Sequence, residues 1–181
     1  SDRSVSFSLV SGVKIYGGFE GDEMHLKDRR LDPSLTVLSG DIGTSGDTDN
    51  SYHVVYANGV TDAVLDCFKV TGGRGDSGGS GGEFAGAGMY NNNSSLTVAN
   101  CTFMDNRVAV TSTWAVGLGA GMYNYNSAPV VTNCTFIANK AGNVYIYTAG
   151  RGGGMYNEGY FVTDENDWRW PLVTGCTFSD N

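Results

Sequence analysis

Oxygen-bearing side chains concentrate in two short segments. Asp47-Thr48-Asp49-Asn50 follows Asp41 in a Gly/Ser-rich stretch, and Asp164-Glu165-Asn166-Asp167 forms a second cluster. Hard oxygen donors at alternating positions are the ligands that Ca2+ takes, which makes Asp41, Asp47, Asp49 and Asn50 the candidate calcium set. Neither segment completes an EF-hand loop, which needs a Glu at its twelfth position, and a solvated acidic loop is the competing reading. Aromatic chemistry is offered by Tyr56, Tyr90, Tyr123 and Tyr156. Stacked in a column they would form a platform for sugar rings; the plainer reading is that the column is structural. Arg74-Gly75-Asp76 lies in a Gly-rich run from Thr71 to Gly82 and is a candidate adhesion loop, although Gly-rich segments also produce the tripeptide by chance.

Nucleophilic catalysis has little to work with. The chain has 2 His, at His25 and His53, and no Gly-x-Ser-x-Gly elbow or phosphate-binding loop. Adjacent acids at Asp22-Glu23 and Asp164-Glu165 read as solvated loop rather than as a glycosidase pair. The expectation is a protein without enzymatic activity, with a polysaccharide lyase or hydrolase as the alternative. The 4 Cys match no zinc spacing. Cys101, Cys134 and Cys176 occupy equivalent positions, so they are expected to form an inward column of free thiols acting as small hydrophobes, with Cys67 one place earlier at a turn. Asn92, Asn93, Asn100 and Asn133 begin glycosylation sequons, the last two at expected tight turns.

Composition narrows the class. The 181 residues include 27 Gly, 3 Pro and 17% charged residues, a mixture in which helices are disfavoured. Acids outnumber bases 19 to 11, for a net charge of −8, which excludes the basic footprint of a nucleic-acid binder. No apolar run approaches the roughly 20 residues of a membrane-spanning helix. One domain is expected over 1–181, with an irregular leading coil in 1–50 and regular coils in 51–181. Because repeat arrays need terminal caps, the chain reads as a fragment of a longer one.

The elements that must position these residues follow from an internal repeat. Gly88-Met89-Tyr90-Asn91 returns at Gly121 and Gly154, 33 residues apart each time. Cys101-Thr102-Phe103 returns at Cys134 and, after 42 residues, at Cys176. Three residues beyond each Phe stands an Asn, at Asn106, Asn139 and Asn181. The longer last copy places an insertion at about Glu158 to Asp167. Short Thr-, Val- and aromatic-rich segments bounded by Gly and Asn, alternating apolar and polar, are strands with one buried face. Three such strands per copy, repeated in register, predict an all-β, right-handed parallel β-helix. Met89, Met122 and Met155 should stack inward below Val55, as should Phe103, Phe136 and Phe178. Asn91, Asn124 and Asn157 are expected at a corner, with their amides hydrogen-bonded along the axis. Arg107–Val116 and Lys140–Arg151 read as variable loops. Upstream, His53–Asn58, Ala63–Leu65 and Phe68–Val70 fit the same frame as a weaker copy.

With its Gly-Gly-Gly-Met-Tyr-Asn segment at Gly152–Asn157, the variants at Gly86 and Gly119, and the Phe-x-x-Asn endings, the chain resembles bacterial surface and secreted β-helix proteins with polymorphic-outer-membrane-protein-like repeats. The leading Val13–Phe19 and Leu38–Ile42 segments fit the same resemblance. It implies a right-handed parallel β-helix, an extracellular or cell-surface location, and a structural or adhesive role, since members of that group act as adhesins and autotransporter passengers. It carries no catalytic residues. The expected partners are a second copy stacked end to end through the unpaired backbone of open rung ends, a cell-surface or matrix component, or a glycan on the Tyr column, with calcium at the acidic loops as the candidate cofactor. A carbohydrate-binding or carbohydrate-cleaving β-helix, using the Tyr column or Trp114, Trp168 and Trp170, is the alternative.

Overall fold

In the computed structural model the described residues are 2–44, 46–76, 84–110, 116–143, 150–162 and 167–181. They form short strands and two single-turn 3-10 segments; among them no helix is long and apolar enough to cross a membrane. The first coil comprises β1 (Phe7–Ser8), β2 (Lys14–Tyr16) and β3 (Val37–Ser39). The second comprises β4 (Val55–Asn58), β5 (Thr61–Asp66), β6 (Lys69–Thr71) and β7 (Arg74–Asp76). The third has β8 (Met89–Asn92), β9 (Ser95–Ala99), β10 (Thr102–Met104) and β11 (Arg107–Val110). In the fourth are β12 (Met122–Tyr125), β13 (Val130–Thr132), β14 (Thr135–Ile137) and β15 (Lys140–Asn143). The fifth begins with β16 (Met155–Glu158), detours through an antiparallel hairpin of β17 (Tyr160–Val162) and β18 (Asp167–Arg169), and resumes with β19 (Leu172–Thr174) and β20 (Thr177–Ser179).

Every coil pairs with the next strand for strand, so three five-stranded parallel sheets run along the molecule: β1-β4-β8-β12-β16, β2-β5-β9-β13-β19 and β3-β6-β10-β14-β20. The chain is a parallel β-helix, and crossovers between such strands take the right-handed sense. The expected register holds, with Met89 against Met122, Phe103 against Phe136 and Tyr56 against Tyr90. The three-strand frame is supplemented by a shorter fourth sheet, β7-β11-β15. It occupies positions that read from sequence as loops after Arg107 and Lys140, because Arg107–Val110 and Lys140–Asn143 share no visible motif.

Why does the path close? Each corner is a two-residue device: a residue in the left-handed region, followed by one that turns inward and is buried in all but the last coil. Between the first and second sheets the left-handed residue is Gly59, Asn93 or Asn126. Between the second and third it is Cys67, Asn100, Asn133 or Gly175, and between the third and fourth Gly72, Asp105, Ala138 or Asp180. Gly, Asn and Asp tolerate positive φ where most residues do not, which is why these types punctuate the repeat. The sequon residues Asn100 and Asn133 thus sit at the tight turns their positions suggested.

The interior is built of columns. Phe103, Phe136 and Phe178 stack almost parallel at 4.9 and 4.8 Å between ring centroids, and Val55, Met89 and Met122 are fully buried. Cys101 and Cys134 pack in the same core and are free thiols, as are Cys67 and Cys176. Asn91, Asn124 and Asn157 correct the sequence reading: they stand mid-strand and inward, not at a corner. Their amides chain along the axis, Asn91 Nδ2 donating to Asn124 Oδ1 at 2.6 Å and Asn124 Nδ2 to Asn157 Oδ1 at 2.7 Å. A polar residue is tolerated inside because its neighbours on the rungs above and below satisfy it. The true corner amides are those of Asn106, Asn139 and Asn181. Asn106 Nδ2 donates to Val70 O and Asn139 Oδ1, and Asn139 Nδ2 to Phe103 O and Asn181 Oδ1.

At the top of the inward ladder stands Ala57, and the buried Asn91 Oδ1 below it has no hydrogen-bond partner among the described residues. Ala57→Asn should donate to Asn91 Oδ1 but leave its own Oδ1 without a donor, with a larger side chain at a fully buried position, so stability should fall by about 1 kcal/mol. Asn124→Ala should also leave the buried Asn91 amide without a partner and Asn157 Oδ1 without its donor, and cost about 3 kcal/mol. Ala138, among the described residues the one non-glycine left-handed residue without a polar side chain or thiol, should gain about 1 kcal/mol on Ala138→Asn. All three are read from equilibrium denaturation midpoints.

Candidate functional site

Alternation along the first sheet turns one column of aromatic side chains outward. His53 enters just before β4, Tyr56, Tyr90, Tyr123 and Tyr156 follow on successive rungs, and Tyr125 lies two residues beyond Tyr123. Ring centroids are 5.7 Å apart for Tyr56–Tyr90, 5.2 Å for Tyr90–Tyr123 and 5.9 Å for Tyr123–Tyr156. The four tyrosines meet as expected, but not as a flat platform. Tyr123 is only 6% exposed, and Tyr56, Tyr90 and Tyr156 are half-buried. Rings stacked on their neighbours spend their faces on one another, a consequence of tertiary stacking that alternation alone does not reveal.

Polar groups border the column. On the neighbouring outward position Asn58, Asn92, Tyr125 and Glu158 succeed one another down the sheet. Tyr123 donates its phenol to Glu158 Oε2 at 2.5 Å, and Tyr125 is exposed. Burial, then the hydrogen bond to Glu158, pushes the Tyr123 phenol far above its ordinary range; burial likewise raises Tyr90. His53 lies tilted against Tyr90 at 4.9 Å between ring centroids, with Nδ1 donating to Gly86 O at 3.1 Å. Burial depresses its pKa from 6.5 to about 4, so the ring is neutral at physiological pH. Sequence reasoning missed His53 as a member of this face, since His53 has no counterpart in the other copies.

The other candidates are placed differently. Arg74-Gly75-Asp76 is strand β7, paired with β11, rather than part of a mobile loop. Alternation turns both charged side chains to one face, where each is mostly covered. Arg74 pairs with Asp76 and Asp47, and Asp76 also receives both terminal nitrogens of Arg3, at 3.1 and 2.9 Å. These ion pairs keep the tripeptide flat against the sheet. Residues 77–82 of the same run lie outside the described residues.

The four candidate calcium ligands are dispersed. Asp47 is held by Arg74 and Arg107, Asp49 Oδ2 accepts from Thr44 N and Oγ1, and Asp41 is exposed. Asn50 is buried, its Nδ2 donating to Gly72 O at 2.6 Å. Among the described residues no group of three His, Cys, Asp or Glu side chains is arranged to hold a metal ion. Charge pairing explains the dispersal, because guanidinium groups from the fourth sheet claim the carboxylate that would anchor the loop. Asp164, Glu165 and Asn166 lie outside the described residues, as does Trp114, while Asp167 is in β18. Trp168 and Trp170 are exposed on the hairpin, their rings 5.9 Å apart. Three thiols are held toward the protonated form: Cys134 is raised by its hydrogen bond with Cys101 and by burial, and Cys67 and Cys176 chiefly by burial.

Comparison with protein-family models, with curated proteins and with solved structures finds no match to this chain. Its geometry therefore carries the functional argument. One consequence of His53 can be measured directly. Unfolded, the imidazole takes up a proton below about pH 6.5, whereas folded it resists until about pH 4. Stability present above pH 6.5 should therefore fall by about 3 kcal/mol as pH drops to 4, a window above that of ordinary carboxylates. His53→Phe, which keeps a ring on Tyr90 but cannot titrate, should flatten the denaturation midpoint over that interval.

Proposed function

We propose that this chain is a non-enzymatic structural or adhesive β-helix module of a bacterial extracellular or cell-surface protein, with end-to-end stacking as its mode of self-association. The observation that supports this reading is where the polar repeat residues are spent. The amides at 91, 124 and 157 and at 106, 139 and 181 bond along the axis from rung to rung. Ser94 and Ser127 do the same at another corner, Ser94 N donating to Ser127 Oγ at 2.9 Å and Val60 N to Ser94 Oγ at 3.0 Å. A molecule so built is strongest along its length and displays its least repetitive segments on the outside. The ladder that joins coil to coil is also a template for joining one molecule to another. The repeat motifs that resemble those of bacterial surface β-helix proteins point the same way.

The test is electron microscopy of the intact protein at high concentration, alongside attachment of protein-coated beads to cells and to extracellular-matrix proteins. Rods that associate lengthwise, and saturable attachment, are the expected results. Monomers at every concentration together with beads that do not attach would sink the proposal.

A second reading, carbohydrate binding, is favoured by the polar column of Asn58, Asn92, Tyr125 and Glu158 beside the tyrosines, since amides and a carboxylate next to aromatic rings suit sugar hydroxyls. It predicts quenching of Tyr and Trp fluorescence by oligosaccharides, reduced severalfold by Tyr125→Ala. No response across neutral and acidic glycans would dispose of it.

A further inference from the structure

The fourth sheet stacks cations. Register sets Arg74 against Arg107 and Arg107 against Lys140, so three of the 11 basic residues of an acidic chain stand in one column. Equivalent positions on adjacent strands are about 4.8 Å apart, a separation at which like charges repel. In the upper interval the fold answers this with a carboxylate. Asp47, on the segment between β3 and β4, bonds Arg74 and lies 3.5 Å from Arg107 through the same Oδ2.

The lower interval has no such answer. Among the described residues no carboxylate lies within ion-pair distance of Lys140, and the Arg107 side chain is 50% exposed. The two cations border a groove of about 260 Å³ with Val108, Ala141 and Gly142. A Cβ at Gly142 would meet nothing within 4 Å, so the groove is open at that point.

We propose that the interval between Arg107 and Lys140 binds an aspartate or glutamate side chain of a partner polypeptide, which takes below Arg107 the place that Asp47 takes above it. The internal example decides for a polypeptide. Asp47 reaches the column from a backbone turn on a short stem, and the groove beside Arg107 is lined by small side chains and glycine. Arg107 offers a planar fork suited to a carboxylate, and Lys140 a second charge one rung away. In a protein of net charge −8, a local positive stripe also fixes where and in which register an acidic partner can dock. The site rests on the adhesive reading and names the contact through which the partner is held.

The probe is a short Gly/Ser peptide carrying one Asp, titrated into the isotope-labelled intact chain, with its Asn counterpart and oligogalacturonate in parallel. The Asp peptide should shift the amide signals of β11 and β15 saturably. Raising salt from about 50 to about 500 mM should weaken it, and Arg107→Gln and Lys140→Gln should each weaken it by about fivefold with unchanged melting temperatures. Equal binding of the Asn peptide, or variants that bind as the unmodified chain does, would overturn the site. Oligogalacturonate binding at Arg107 and Lys140 without peptide binding would overturn the polypeptide assignment. Because the probe is a free peptide, beads that fail to attach count against the adhesive reading alone, and absent peptide shifts against this site alone.

Discussion

Everything in this molecule depends on rungs that stack in register. A parallel ladder fixes the rise from coil to coil, and left-handed corner residues bring the chain back to the same place each time. Once these hold, a residue type repeated in sequence becomes a column in space. Phenylalanines stack on phenylalanines, and the amide of one asparagine is satisfied by the next. The same geometry would be ruinous for unpaired groups, because a mismatch at one rung has no lateral neighbour to absorb it. Asn91 Oδ1 under Ala57, and Lys140 below Arg107, are two places among the described residues where a polar column ends unanswered.

Column chemistry also separates what is structural from what is available. Inward amides and thiols, buried and bonded along the axis, are consumed by the fold. Outward columns differ in how far neighbours cover them. The tyrosines shield one another, so the exposed chemistry of the first sheet lies with Tyr125 and its polar neighbours. On the fourth sheet Arg74 is enclosed by Asp47 and Asp76, whereas Arg107 and Lys140 face outward. Near the first coil, Arg29 pairs with Asp66 at 2.5 Å and Asn100 donates to the other oxygen of that carboxylate, tying the long segment after β2 to the coil corners.

Much of this was legible in the chain itself. The 33-residue spacing of Gly-Met-Tyr-Asn and the Cys-Thr-Phe motifs determined the register, because stacking demands that like residues recur at the length of one coil. Gly and Asn bounding the strands announced the turns, and alternation separated Met89 and Phe103 from Tyr90 and Thr102. Tertiary structure alone decided the rest. A strand at Arg107–Val110 could not be read, since its pairing with Lys140–Asn143 is made by backbone groups that leave no mark on residue type. Nor could the inward place of Asn91: alternation from Met89 allows it, but a buried amide is stable there only because Asn124 lies beneath it. The burial of Tyr123, the ion pairs that flatten Arg74-Gly75-Asp76 and the capture of Asp47 by two arginines all depend on residues distant in sequence. Local pattern specifies a rung; which side chains meet across rungs, and which are left for a partner, is set only when the coils are stacked.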